Sequence, residues 1–112
     1  ELGNHDAALA DYEKAISLNP NSARAFYNRG LTRNRLNQHQ SAIQDYSEAI
    51  RLQPTFAEAF YNRGLSRFNL KNYKEAIDDL NKAAALFKQN GRTENSQSAM
   101  DVIKTIQDLG KS

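Results

Sequence analysis

The chain has 112 residues, 15 Lys and Arg against 13 Asp and Glu, no Cys and no Trp. That length holds one modest core, and 39% hydrophobic residues at a mean hydropathy of −0.77 leave no apolar run of the roughly 18 residues that span a bilayer. Without Cys there are no disulfides, thiolate metal sites or cysteine nucleophiles; any redox compartment is compatible, and the cytoplasm is only the default assignment. A formal charge of +2 with no basic block argues against nucleic acid as a partner.

Taken in chain order, the spacing of apolar and small residues predicts helices at about 5–18, 23–36, 40–52, 56–69 and 74–88. Pro20-Asn21-Ser22 and Pro54-Thr55 separate successive pairs, with Ser22 and Thr55 as expected N-caps and Glu58 completing a capping box after Thr55. Asn37-Gln38-His39 and Lys71-Asn72-Tyr73 are polar breaks within pairs. After Asn90-Gly91, Thr93 is the expected cap of a last helix whose stripe of Ala99, Val102, Ile103, Ile106 and Leu109 closes the array before Gly110.

The chain repeats itself every 34 residues. Ala23-Arg24-Ala25-Phe26-Tyr27-Asn28-Arg29-Gly30-Leu31 lies over Ala57-Glu58-Ala59-Phe60-Tyr61-Asn62-Arg63-Gly64-Leu65, and about fifteen of the 34 aligned positions are identical. A shorter copy, from Ala8 through Tyr12 to Pro20, precedes them. The reading is therefore 1–22 as a truncated repeat with its second helix only, 23–56 and 57–90 as full repeats, and 91–112 as a C-terminal capping helix.

A 34-residue helix–turn–helix unit resembles the tetratricopeptide repeat, whose pattern places Trp, Leu, Gly and Tyr in the first helix and Ala, Phe and Pro in the second. Phe26 and Phe60 stand at the Trp position, Gly30 and Gly64 at the Gly, Ala8, Ala42 and Ala76 at the Ala. Tyr12, Tyr46 and Leu80 follow at the aromatic, and Pro20 and Pro54 at the Pro. The resemblance covers about residues 1–90 and implies an all-α fold of repeats stacked as a right-handed solenoid with a C-terminal capping helix.

The departures from the pattern recur. Arg29 and Arg63 replace its Leu, Arg33 and Arg67 its next Tyr, and Asp11, Asp45 and Asp79 repeat at the same interval. A guanidinium in a partly apolar position can bury its stem and fork onto a carboxylate. Structural ion pairs of Arg29 and Arg63 with Asp45, or with Asp11 and Asp79, are therefore favoured over an anion site, with Arg33 and Arg67 as alternative donors. His5, His39 and Tyr73 share one register position and read as turn packing, and Asp78-Asp79 point in different directions on a helix. No glycine-rich phosphate loop, His-Glu-x-x-His or nucleophile elbow is present, so the reading is no enzyme, no cofactor and no metal.

The resemblance implies a concave groove lined by the first helix of each repeat, where family members hold extended peptides or partner helices. The matching residues are Arg24, Tyr27, Asn28, Leu31 and Asn34, then Glu58, Tyr61, Asn62, Leu65 and Phe68. Members that grip a chaperone's acidic C-terminal tail use a clamp of basic side chains with Asn. Tyr27, Leu31, Glu58 and Asn62 occupy its positions, only Asn28 fits, and such a tail is not the expected ligand.

The function implied is a protein–protein interaction module. Its rivals are a self-assembly scaffold and a recruiting arm of a larger enzyme. The truncated first copy is expected to leave Leu9, Tyr12, Ala15, Ile16 and Leu18 partly uncovered, to self-associate there, and to be preceded by at least one more repeat.

Overall fold

The computed structural model describes residues 2–110, and within them six α-helices and no strand. They are α1 (Leu2–Leu18), α2 (Ala23–Arg35), α3 (His39–Leu52), α4 (Ala57–Asn69), α5 (Tyr73–Gln89) and α6 (Thr93–Gly110). The chain divides into two units, Glu1–Pro54 and Thr55–Ser112.

In the first unit α2 packs on α3, and α1 on α2. Ser22 caps α2, its hydroxyl accepting from the Ala25 N–H at 3.1 Å. The α2–α3 seam is built from small residues against one large ring. Ala42, Ala49 and the Tyr46 ring are fully buried, and a Cβ added to Gly30 would lie 2.6 Å from Tyr46 Cε1. Glycine is required there because the ring takes the volume of the missing side chain. Helix α1 begins at Leu2, three residues ahead of the expected start.

The second unit repeats the seam with α4 on α5 and adds α6 on α5. Leu80 replaces the tyrosine ring, its Cγ 2.9 Å from a Cβ built on Gly64. Ala76, Leu80, Ala84, Ala99, Ile103 and Ile106 form one buried cluster; Ala57, Ala83, Leu86 and Phe87 form another. Ser96 Oγ donates to the Ala84 carbonyl at 2.9 Å and ties α6 to α5. Of the expected stripe, Ala99, Ile103 and Ile106 are buried and Val102 packs at the margin, while Leu109 is exposed.

Three turns share one geometry. Asn37, Lys71 and Gly91 have φ of 62°, 65° and 75°, and the next N–H reaches back to the carbonyl of Arg33, Arg67 and Phe87, each at 2.8 Å. A left-handed residue with this six-to-one bond is a Schellman stop, which satisfies the orphan carbonyls of the helix before it.

Two expected caps are displaced. Phe56, buried and without a side-chain hydrogen bond, is the N-cap of α4, so Thr55 lies one residue too early and the capping box does not form. Burial of the Phe56 ring sets the helix entry instead. Thr93 is the first helical residue of α6 rather than the residue before it.

Candidate functional site

The repeated arginines converge on the repeated aspartates within each unit. Asp45, on α3, accepts from Arg29 Nε and Nη2 at 3.0 and 2.8 Å and from Arg33 Nη1 at 3.0 Å. Asp79, on α5, accepts from Arg63 Nε and Nη2 at 2.9 and 2.8 Å and from Arg67 Nη1 at 2.8 Å. Arg29 and Arg33 lie four apart, one helical turn, so both heads reach the same carboxylate. The second arginines are thus simultaneous donors and not alternatives to the first. The aspartates are 4% and 5% exposed and the four arginines 16–25%. Phe26 and Phe60 lie under the first guanidiniums, with centroids 5.6 and 5.5 Å from Cζ of Arg29 and Arg63. Asp11 departs from its counterparts. It is exposed, with no ion-pair partner among the described residues.

The first-helix candidates separate into sealed and accessible residues. On α2, Tyr27 is 7% exposed and packs against Tyr46 with ring centroids 5.8 Å apart and planes tilted by 47°, so the expected groove tyrosine belongs to the core. Arg24, exposed, lies 5.4 Å above its ring. Asn28, Leu31 and Asn34 are half-buried, and the Asn34 amide oxygen meets His39 Nδ1 across the turn. On α4, Tyr61 is half-buried against Phe87 (6.3 Å, edge-on), and Phe68 against Tyr73 (5.8 Å). Asn62 Nδ2 donates to the Glu58 carbonyl at 2.9 Å, and Leu65 is half-buried. His39 and Tyr73 therefore both serve the turn between helices. His5 is half-buried on α1.

One interaction of α4 has no counterpart in the sequence reading. Glu58 Oε2 accepts from Arg92 Nη1 at 2.6 Å, and the Arg92 head lies 4.9 Å from the Phe87 centroid. The signal was available: residues 24, 58 and 92 occupy one register position and read Arg, Glu, Arg. A cleft of about 460 Å³ between α5 and α6, lined by Ala84, Ala85, Lys88, Ser96, Gln97 and Met100 among others, was also not selected. Among the described residues no three His, Cys, Asp or Glu side chains converge as a metal site, and no helix is long and apolar enough to cross a membrane.

The Tyr46 hydroxyl is buried without a hydrogen-bond partner. Burial, more than the neighbouring Tyr27 and Asp45, raises its pKa well above the ordinary tyrosine range.

Comparison with known proteins places this geometry. The chain aligns with the first tetratricopeptide domain of Spaghetti (RPAP3), solved with the HSP90 peptide SRMEEVD, at 25% identity and a TM-score of 0.86, over 99% of this chain and 83% of that one. It is 29% identical to the Arabidopsis OM64 tetratricopeptide domain, with a TM-score of 0.81 over 92% and 83% of the two chains. The Yersinia enterocolitica type III secretion translocator chaperone SycD shares the fold at 18% identity, with a TM-score of 0.92 over 98% and 77%. No curated protein sequence matches. Family models described as TPR repeat and tetratricopeptide repeat match residues 1–37 and 33–71, and residues 57–90, respectively. An all-α helix–turn–helix fold, a 34-residue period and small-residue seams thus meet a family match over most of the sequence: the chain belongs to the tetratricopeptide repeat family.

Proposed function

We propose that this chain is a non-catalytic protein–protein interaction module that receives a peptide or a partner helix on its first-helix faces. Those faces are Arg24, Asn28, Leu31 and Asn34 on α2, and Glu58, Tyr61, Asn62, Leu65 and Phe68 on α4. Tyr27 supports the first from beneath rather than touching the ligand. The observation that carries the reading is that Asn28 and Leu31 recur as Asn62 and Leu65, in each case half-buried and not sealed into the core. An amide that donates and accepts, beside apolar area on a rigid helix, suits a peptide at little ordering cost to the receptor. The likeness to a domain solved with a bound peptide supports the same reading.

An acidic chaperone tail is not the ligand proposed. Glu58 puts a carboxylate where a clamp needs a cation, and it already engages Arg92. The reading keeps the repeat limits 1–22, 23–56 and 57–90, with 91–112 as the closing helix.

Selection of peptides from a random displayed library against the chain tests it. The double variants Asn28→Ala with Asn62→Ala, and Leu31→Ala with Leu65→Ala, should each weaken a selected peptide at least tenfold while keeping native helicity. Unchanged affinity in both would place the ligand elsewhere.

A further inference from the structure

The left-handed turns that end α2, α4 and α5 share a backbone but not a sequence. The left-handed residues are Asn37, Lys71 and Gly91, and the residues ahead of them are Leu36, Leu70 and Asn90. Only the third turn sets a side-chain amide beside a glycine, and no other Asn in the chain is followed by Gly. Asn37 and Lys71 hold the same conformation without being glycine, and a Cβ built on Gly91 would meet nothing within 4 Å. Packing therefore does not demand this pair. Asn90 and Gly91 are exposed, and the Asn90 side chain has no hydrogen-bond partner among the described residues. A glycine carries no Cβ to obstruct its own nitrogen, which can approach the side-chain carbon of the Asn before it.

The folded turn holds those two atoms apart. Asn90 has a ψ of 6°, which turns the Gly91 nitrogen away from the Asn90 side-chain carbon. The Gly91 N–H donates to the Lys88 carbonyl at 3.1 Å and the Arg92 N–H to the Phe87 carbonyl at 2.8 Å, so rotation about the Asn90 Cα–C bond breaks both. Arg92 fastens the exit. Its Nη1 donates to Glu58 Oε2 at 2.6 Å, and its head lies 4.9 Å from the Phe87 centroid. We propose that Asn90 is a deamidation site gated by the Arg92–Glu58 contact, and that the isoaspartate it yields dismantles that contact. When the turn opens locally, the Gly91 nitrogen gives its proton to hydroxide and attacks Asn90 Cγ. The Cγ–Nδ2 bond breaks, the departing nitrogen takes a proton from water and leaves as ammonia, and a five-membered succinimide remains. Water adds to one of its two carbonyls, and the ring opens to aspartate or isoaspartate at position 90. No oxidant or reductant enters. Either product puts a carboxylate at the C-terminal end of α5, where the helix dipole is already negative. Isoaspartate also lengthens the main chain by one methylene between Phe87 and Arg92, so the six-to-one bond loses its register and Arg92 is drawn off Glu58. The inference does not depend on what the α2 and α4 faces bind.

The test ages the full chain at mildly alkaline pH and follows position 90 by mass spectrometry of its proteolytic fragments, which resolves Asn, Asp and isoaspartate. A synthetic peptide of residues 86–96 gives the rate of the ungated chemistry. The folded chain should react at position 90 at least tenfold more slowly than the peptide. Glu58→Ala removes the clamp without changing the sequence around Asn90, and should raise the rate in the chain at least threefold while native helicity is kept. Arg92→Leu, judged against a peptide with the same change, gives a second reading of the gate. In aged, isotopically labelled protein the Arg92 Nε–H signal of the isoaspartate form should move away from its position in the fresh chain. A chain that reacts as fast as the peptide, a rate indifferent to both variants, an unmoved Arg92 signal in the isoaspartate form, or conversion of Asn21 or Asn95 with none at position 90 would each overturn the proposal.

Discussion

At the residue scale the largest local costs gather around one tyrosine. Tyr46 fills the seam under Gly30 while its hydroxyl lies buried and unpaired, a loss of about 1–3 kcal/mol for a group taken from water. Tyr46→Phe should therefore raise stability in urea by about 1 kcal/mol or more. The folded pKa is raised, so the folded state holds its proton more tightly than the unfolded chain does. The associated stability is full below the unfolded pKa near 10 and falls as pH rises above it. In Tyr46→Phe this part of the alkaline loss should be absent. Gly30→Ala tests the other side of the contact. It gains up to about 1 kcal/mol of helix propensity, but meets a fully buried ring and should cost about 1–3 kcal/mol net. A gain in melting temperature would mean that the ring can move.

At the scale of single helices and their joints, the Arg–Asp–Arg groups clamp first helices to second. Arg29 gives Asp45 two hydrogen bonds and Arg33 gives one, so Arg29→Met should destabilise more than Arg33→Met. Asp45→Asn should cost about 1–3 kcal/mol, below the value for a fully buried pair, because the half-buried arginine heads can turn to water. The turns give a test of opposite sign. Lys71 holds a φ of 65° that an L side chain adopts at a cost of about 1–2 kcal/mol, and glycine adopts freely. Lys71→Gly should stabilise by up to about 1 kcal/mol after the entropy of the unfolded chain is counted, and Asn37→Gly by less, since Asn tolerates this conformation. Chemical denaturation of both variants decides it.

At the scale of the whole molecule, the six helices were legible to within three residues because the 34-residue period carries its own punctuation. The aspartate staples were legible for the same reason, since Arg29, Arg63, Asp45 and Asp79 break the family pattern in step. The fate of Tyr27 was not. Its burial depends on the Tyr46 ring of another helix, whereas Tyr61 at the equivalent position faces Phe87 and stays half-exposed. Phe56 in place of Thr55 failed for a similar reason, because packing of an aromatic ring outweighed a hydroxyl cap. Two buried clusters lie within the second unit, so a fragment of residues 55–112 should retain its helicity and unfold cooperatively. Ile103→Ala or Ile106→Ala should each cost it about 2–5 kcal/mol, read by circular dichroism.

The staples also settle where the charge of this protein resides. Each pairs one aspartate with two arginines and so carries a surplus of one positive charge. Of the 15 Lys and Arg, four are spent in the staples, and of the 13 Asp and Glu, two, which leaves eleven of each sign elsewhere. The formal +2 is thus held at two half-buried seams, and the remainder of the chain is balanced. A sequence pI near 9.0 does not here signify a basic exterior. Long-range electrostatic steering of a partner should be weak, and association rates should change little between low and physiological ionic strength.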